Sequence, residues 1–238
     1  MDLLNLSVVA EYYPVLLRGF GMTILMTLIV ITLSLTLAIP VALSRMSGNF
    51  LVRLVGGTYV ELLRGTASGT SVLSEGLQLV YIYFVLPGVG IRLEGFVAAL
   101  VALTLHYTDY LSEVYRAGIQ SVPKGQTQAA SALGMSRGQT FIRIVLPQAV
   151  RTVTPTLGNY FISLFKDTAL ASVVTVQELL FSGQIIAART YQYFTIYTVC
   201  MIMYFSVGYP AALFVRWLEK RTSGGYARRR RRQKGGQA

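Results

Sequence analysis

Residues 19–44, GFGMTILMTLIVITLSLTLAIPVALS, run for 26 positions without a charged side chain. A helix crossing the hydrocarbon core of a bilayer needs about 20 mostly apolar residues, so this stretch predicts a membrane span. Asp2 and Glu11 precede it, whereas a cleavable signal peptide opens on basic residues and has a shorter apolar core; the segment reads as retained. Working outward, further apolar runs cover residues 77–91, 96–115, 152–180 and 193–217. Five spans are expected, and the fourth is interrupted by Lys166 and Asp167.

Composition points the same way. Of 238 residues, 53% are hydrophobic and 13% charged, against about 25% charged in water-soluble domains. This balance excludes disordered, fibrous and disulfide-scaffold classes. The lone Cys200 cannot close an internal disulfide, and no CxxC or Cys/His cluster exists to bind a metal.

The formal charge of +11 is concentrated in two stretches. Residues 116–151 carry five bases and no acid, and residues 216–238 carry nine bases against Glu219. Basic segments flanking apolar runs follow the positive-inside rule, which places both stretches in the cytoplasm. With five spans the N-terminus then lies outside, and the near-neutral segments around Arg92/Glu94 and Glu178/Arg189 are outer loops. The expected fold class is an all-α polytopic membrane protein with a transmembrane domain over 1–221 and a basic cytoplasmic tail over 222–238. The arginine run 228–232 is read as a lipid-headgroup anchor or solvated tail rather than a nucleic-acid site. Between Gly65 and Gly76, GTASGTSVLSEG reads either as a plain loop or as a broken helix beside an aqueous path.

The loop 121–150, SVPKGQTQAASALGMSRGQTFIRIVLPQAV, is punctuated as two short helices in series. Ser121 is the expected N-cap with Pro123 just inside, and Gly134 is placed as a C-terminal glycine. Ser136 and Gln139 form a capping box opening a second helix that runs to Pro147. The small apolar surface of the first helix suits either a groove on a partner or packing against the spans.

Gln128-Ala129-Ala130, then Gly134, then Ile144, Leu146 and Pro147 resemble the EAA loop of ABC importer permeases: Glu-Ala-Ala, three residues, Gly, nine residues, Ile, any residue, Leu-Pro. The stretch from Tyr110 to Leu179 and VELLRGT at 60–66 are similar to the polar amino acid subfamily, the histidine, glutamine and arginine type. Two departures stand out: Gln128 replaces the motif's Glu, and Ala67 follows Arg64-Gly65-Thr66 where the family usually has Pro.

The resemblance implies a permease in the bacterial cytoplasmic (inner) membrane. A second permease subunit, identical or sister, would complete the pore; a cytoplasmic ABC ATPase dimer would bind the loop; a periplasmic or extracellular solute-binding protein would deliver an amino acid. Mg-ATP would sit on the ATPase, and this chain is expected to bind no cofactor, since the dipeptide Gly-Lys of a P-loop occurs nowhere. A compatible solute such as ectoine is the alternative cargo. Two other classes are carried alongside: an ion-coupled secondary transporter, and a membrane-embedded scaffold.

Polar groups at membrane depth are costly and are functional candidates. Counting about 10 residues from positions 116 and 151, at 1.5 Å each, places His106, Tyr107 and residues 159–163 near the bilayer middle. His106, Asp109, Asn159, Tyr160 and Ser163 are the candidates for a substrate path. The competing reading is that they satisfy one another between helices, with Asp109 and Glu113 pairing to Arg116 or Lys166. Gly134-Met135-Ser136-Arg137-Gly138 matches the nucleophile-elbow pattern GxSxG, but that fold needs a later histidine and His106 comes earlier. No catalytic constellation is expected.

Overall fold

The computed structural model describes residues 5–65 and 71–234, and among them all regular structure is helical. Residues 66–70, the centre of the Gly/Ser/Thr-rich stretch, lie outside the described residues, as do the side chains of the arginine run. The chain is a polytopic helical membrane protein. Its helices are α1 (Leu6–Arg45), α2 (Phe50–Gly65), α3 (Ser71–Val80), α4 (Gly95–Gln120), α5 (Lys124–Ala132), α6 (Arg137–Thr140), α7 (Leu146–Asp167), α8 (Leu179–Thr190) and α9 (Tyr193–Lys234). By length and apolarity alone, α1 and the Tyr193–Thr222 part of α9 each suffice to cross a membrane.

Helix α1 begins at Leu6, well before the uncharged run, and its 40 residues make a rod of about 60 Å. Gly19, Thr23, Met26, Thr27, Val30, Ser34, Ala38 and Ala42 recur at helical spacing on its buried face. Leu25, Leu28, Leu33 and Leu37 lie exposed. Lipid tails are as apolar as leucine, so helices associate in a membrane through close packing of small residues and interhelical hydrogen bonds. The α1 stripe fits that rule: the Ser34 hydroxyl donates to the Thr104 carbonyl of α4 at 3.2 Å.

Helix α4 is the centre of the bundle, packed against α1, α2, α3 and α7. It runs antiparallel to α7 and the 3-10 turn that follows it, Thr168–Val174, along a seam tightened by glycine at each end. A Cβ on Gly95 would lie 2.3 Å from the Val174 carbonyl oxygen, and one on Gly118 would lie 2.1 Å from Val153 Cγ1. The backbones therefore approach too closely for side chains there.

The structure corrects three expectations. First, Ser121 caps the end of α4, and Pro123 is the N-cap of α5. Second, the helix opened by the Ser136–Gln139 capping box does not end at Pro147. It passes through a π turn, Phe141–Val145, and continues as α7. Proline disrupts a helix through its missing N–H and through contact with the preceding turn's carbonyl. The wide turn, in which the Leu146 N–H reaches the Phe141 carbonyl, relieves both. The same arrangement recurs where the π turn Tyr81–Val85 precedes Leu86-Pro87. Third, the segment around Glu178 and Arg189, expected as an outer loop, is mostly helix α8. Residues 137–174 and α8 meet at a 52° bend, Thr175 takes a left-handed φ of 61°, and Glu178 is fully buried as the N-cap of α8.

The apolar run 152–180 thus spans the bend rather than one straight helix. Helix α9 continues through Thr222 to Lys234, so no helix end marks the expected boundary at 221/222.

Candidate functional site: the loop and the polar face of α7

In the 121–147 loop, Gly134 closes α5 with φ +75°, a conformation that L side chains rarely adopt. Its amide donates to the Ser131 carbonyl, and the Met135 amide reaches the Ala130 carbonyl. The capping box is complete: the Gln139 amide donates to Ser136 Oγ at 3.3 Å, and the Ser136 amide donates to Gln139 Oε1 at 3.0 Å. These bonds fix α5 as a compact unit ahead of the long helix.

The two readings of its apolar surface divide by residue. Ala130 is buried. Gln128, Ala129, Gly134, Leu146 and Pro147 are exposed, and Ile144 is half-buried. Gln126, Ala129 and Leu133 follow one another at three and four residues, so they share an outward face, and Leu133 is 83% exposed.

The substrate-path candidates also divide. His106 and Asp109 are 4% and 2% exposed, so within the single chain both are packed against neighbouring side chains. His106 lies against the rings of Tyr107 and Tyr110, and Asp109 lies close to Tyr59 of α2. Glu113 pairs with Arg116, Nη2 to Oε2 at 2.7 Å, as the packing alternative anticipated. Its second partner, Arg45 from the end of α1, was not foreseen.

On α7, Asn159 is exposed and Tyr160 and Ser163 are half-buried. They belong to a longer feature that sequence reading missed. Thr152, Thr156, Asn159, Ser163 and Lys166 succeed each other at intervals of three or four and so form one polar stripe. All but the half-buried Ser163 are exposed. An amide, two threonines and an ammonium facing hydrocarbon would be costly, so this stripe must face water or another subunit. The 3.6-residue period of the polar positions was the available signal.

Beside the stripe sits a closed circuit of four rings. Centroids are 5.7 Å apart for His106–Tyr107, 6.3 Å for Tyr107–Tyr160, 5.8 Å for Tyr160–Tyr110 and 4.8 Å for Tyr110–His106. The Tyr107 hydroxyl donates to the Asp167 carboxylate, tying α4 to the C-terminal end of α7. Among the described residues, no group of three His, Cys, Asp or Glu side chains is placed to hold a metal ion.

Comparison with known proteins places these features in context. Residues 34–224 match the family model described as binding-protein-dependent transport system inner membrane component. The chain is 33% identical over 224 residues to a probable glutamine ABC transporter permease protein, GlnM, of Bacillus subtilis (strain 168), covering 94% of this chain and 100% of that one. It is 37% identical over 212 residues to the L-cystine transport system permease protein TcyB of the same organism, covering 89% of this chain and 88% of that one. A crystal structure of an amino acid ABC transporter with histidines superposes at a TM-score of 0.83 with 31% identity, over 92% of this chain and 99% of that chain. An inward-facing MetNI methionine ABC transporter shares the fold at a TM-score of 0.67 and 17% identity, over 87% of this chain and 98% of that one.

Proposed function

The chain belongs to the family of binding-protein-dependent transport system inner membrane components, and from that premise we propose that it is the permease subunit of an ATP-driven importer of polar amino acids. It is a transport component rather than an enzyme. Its relatives named for glutamine and cystine, and the crystallised amino acid transporter, support the choice of cargo. ATP with Mg is bound and hydrolysed by a separate cytoplasmic ATPase pair, and an external binding protein delivers the solute. The membrane is the bacterial cytoplasmic membrane, with the N-terminus outside and the basic tail and α5 on the ATPase side.

The observation that carries this reading is the outward face of α5. An exposed Leu133 with Ala129 on the same face is apolar surface at the water side of a membrane protein, the kind of surface that marks a protein contact. The continuous helix from Arg137 through α7 links that contact to the polar stripe, so a shift of the loop moves the helix that carries Asn159 and Ser163. A stripe facing outward from a single chain needs a second permease, identical or sister, to enclose a path.

Co-purification with the candidate ATPase tests the docking face. Gly134→Asp forces a side chain onto a positive φ at the base of that face. Association should fall by at least about tenfold, given about 1 kcal/mol or more of backbone strain plus a misdirected Leu133. Unchanged association would remove the loop from the coupling role.

A further inference from the structure

We infer that the outward face of α9 between Phe205 and Arg221 binds one anionic phospholipid, its acyl chains along an apolar ridge and its phosphate held by Arg216, Lys220 and Arg221. The site depends on the chain spanning a membrane and not on which solute it carries.

The bases lie at the depth of a headgroup. Residues 194–215 carry no charge. Tyr193 and Trp217, both exposed, flank that run, and the helix rise sets them about 36 Å apart. The hydrocarbon core is about 30 Å thick, so the two rings stand at its two boundaries, where interfacial aromatics collect. Lys220 and Arg221 follow Trp217 within about 6 Å along the axis, among the phosphates.

The face is sorted by chemistry. Phe205, Tyr209, Leu213 and Trp217 recur every four residues and are exposed, so they form one ridge. Arg216, Lys220 and Arg221 are exposed too, and each lies within about 100° of Trp217 around the helix. Glu219, the one acid among residues 216–238, is half-buried and turned away. It shares a face with Val215, which is buried against Gly158 of α7. An outward column that passes from apolar through aromatic to basic follows the order of an anionic phospholipid from chain to headgroup.

Arg221 is held ready for that headgroup. Its Cζ lies 4.3 Å from the centroid of the Trp217 ring, within cation–π range. The contact uses the flat face of the guanidinium and leaves the N–H groups along its edge to donate to phosphate oxygens as a fork.

Trp217 is the chain's single tryptophan, so its fluorescence reads the site directly. The test reconstitutes the full-length chain in phosphatidylcholine bilayers doped with a dibrominated quencher, either phosphatidylglycerol or phosphatidylcholine. Brominated phosphatidylglycerol should quench at about tenfold lower mole fraction, since each base near an anionic lipid contributes about fivefold. Lys220→Gln combined with Arg221→Gln should bring the two lipids within about twofold of each other, while glutamine at all of residues 228–232 should leave at least about a fivefold preference. Equal quenching by both lipids in the parent, or a preference that survives the double variant, would overturn the site. A preference lost with the 228–232 arginines would move the binding to the tail and overturn it as well. No quenching by either lipid would show a protein covering this face, and displacement by millimolar inorganic phosphate would make the ligand a free anion; both results would contradict the lipid.

Discussion

The Tyr204 hydroxyl of α9 donates to Glu178 Oε2 at 2.9 Å, and through that carboxylate three helices meet. Glu178 caps α8 by accepting from the Leu180 amide at 2.9 Å and the Phe181 amide at 2.6 Å. The Thr23 hydroxyl of α1 lies 3.5 Å from Oε2 and accepts from the Leu179 amide at 3.2 Å. The carboxylate is fully buried, so its protein partners replace the water it has lost.

Replacing Glu178 by Ala leaves two amides and the Tyr204 hydroxyl without an acceptor in a dry site. We expect a loss of about 2–4 kcal/mol from the missing cap and the buried orphan donors. Tyr204→Phe removes one of the bonds and should cost about 1 kcal/mol. Thermal unfolding in detergent checks the order, and Glu178→Ala costing no more than Tyr204→Phe would contradict it.

The α4–α7 seam makes a second ranking. An alanine at Gly95 meets a backbone carbonyl at 2.3 Å, whereas one at Gly118 meets a valine methyl at 2.1 Å that can rotate aside. Both Gly95→Ala and Gly118→Ala overpack the seam, at about 1–3 kcal/mol, and Gly95→Ala should be the more damaging. The reverse order in unfolding midpoints would show that α4 slides at its Gly95 end, away from the Val174 carbonyl.

The capping box acts locally. Ser136→Ala should release the Gln139 amide at a cost of about 1 kcal/mol, raising hydrogen exchange over residues 137–140 about fivefold with little change in the global unfolding midpoint. Hydrogen exchange read by mass spectrometry distinguishes this from a loss spread through α7.

The stripe should respond in function and not in stability. Asn159 is exposed in the single chain, so Asn159→Leu leaves its packing intact and adds an apolar barrier to the path. Uptake by the reconstituted transporter should fall at least about tenfold, about 1.4 kcal/mol. The unfolding midpoint should stay within a degree or two. A large fall in stability would place Asn159 in the packing instead.

Much of the fold was legible because lipid and local backbone chemistry write directly into sequence. The uncharged run after Gly19 can only be satisfied by a helix in a membrane, and Ser136 with Gln139 encodes its capping box within four residues. Pro147 misled, because the relief it receives comes from a π turn formed earlier in the helix. Glu178 misled more deeply. An acid between apolar runs looks like an outer loop, and its burial depends on Thr23 and Tyr204, which lie far away in the chain. The same distance hid the division of the path candidates. Helix α4 is surrounded by four other helices, so no single apolar period shows that His106 and Asp109 point inward, whereas α7 has a free polar face whose period is readable once sought.

The most direct measurement is solute accumulation in proteoliposomes holding the permease, its ATPase and the binding protein, with ATP supplied on the α5 side. Accumulation should require all three proteins and hydrolysable ATP, and it should be lost in Gly134→Asp. Accumulation by the permease alone under an ion gradient would contradict the coupling role of α5 and make the chain a secondary transporter.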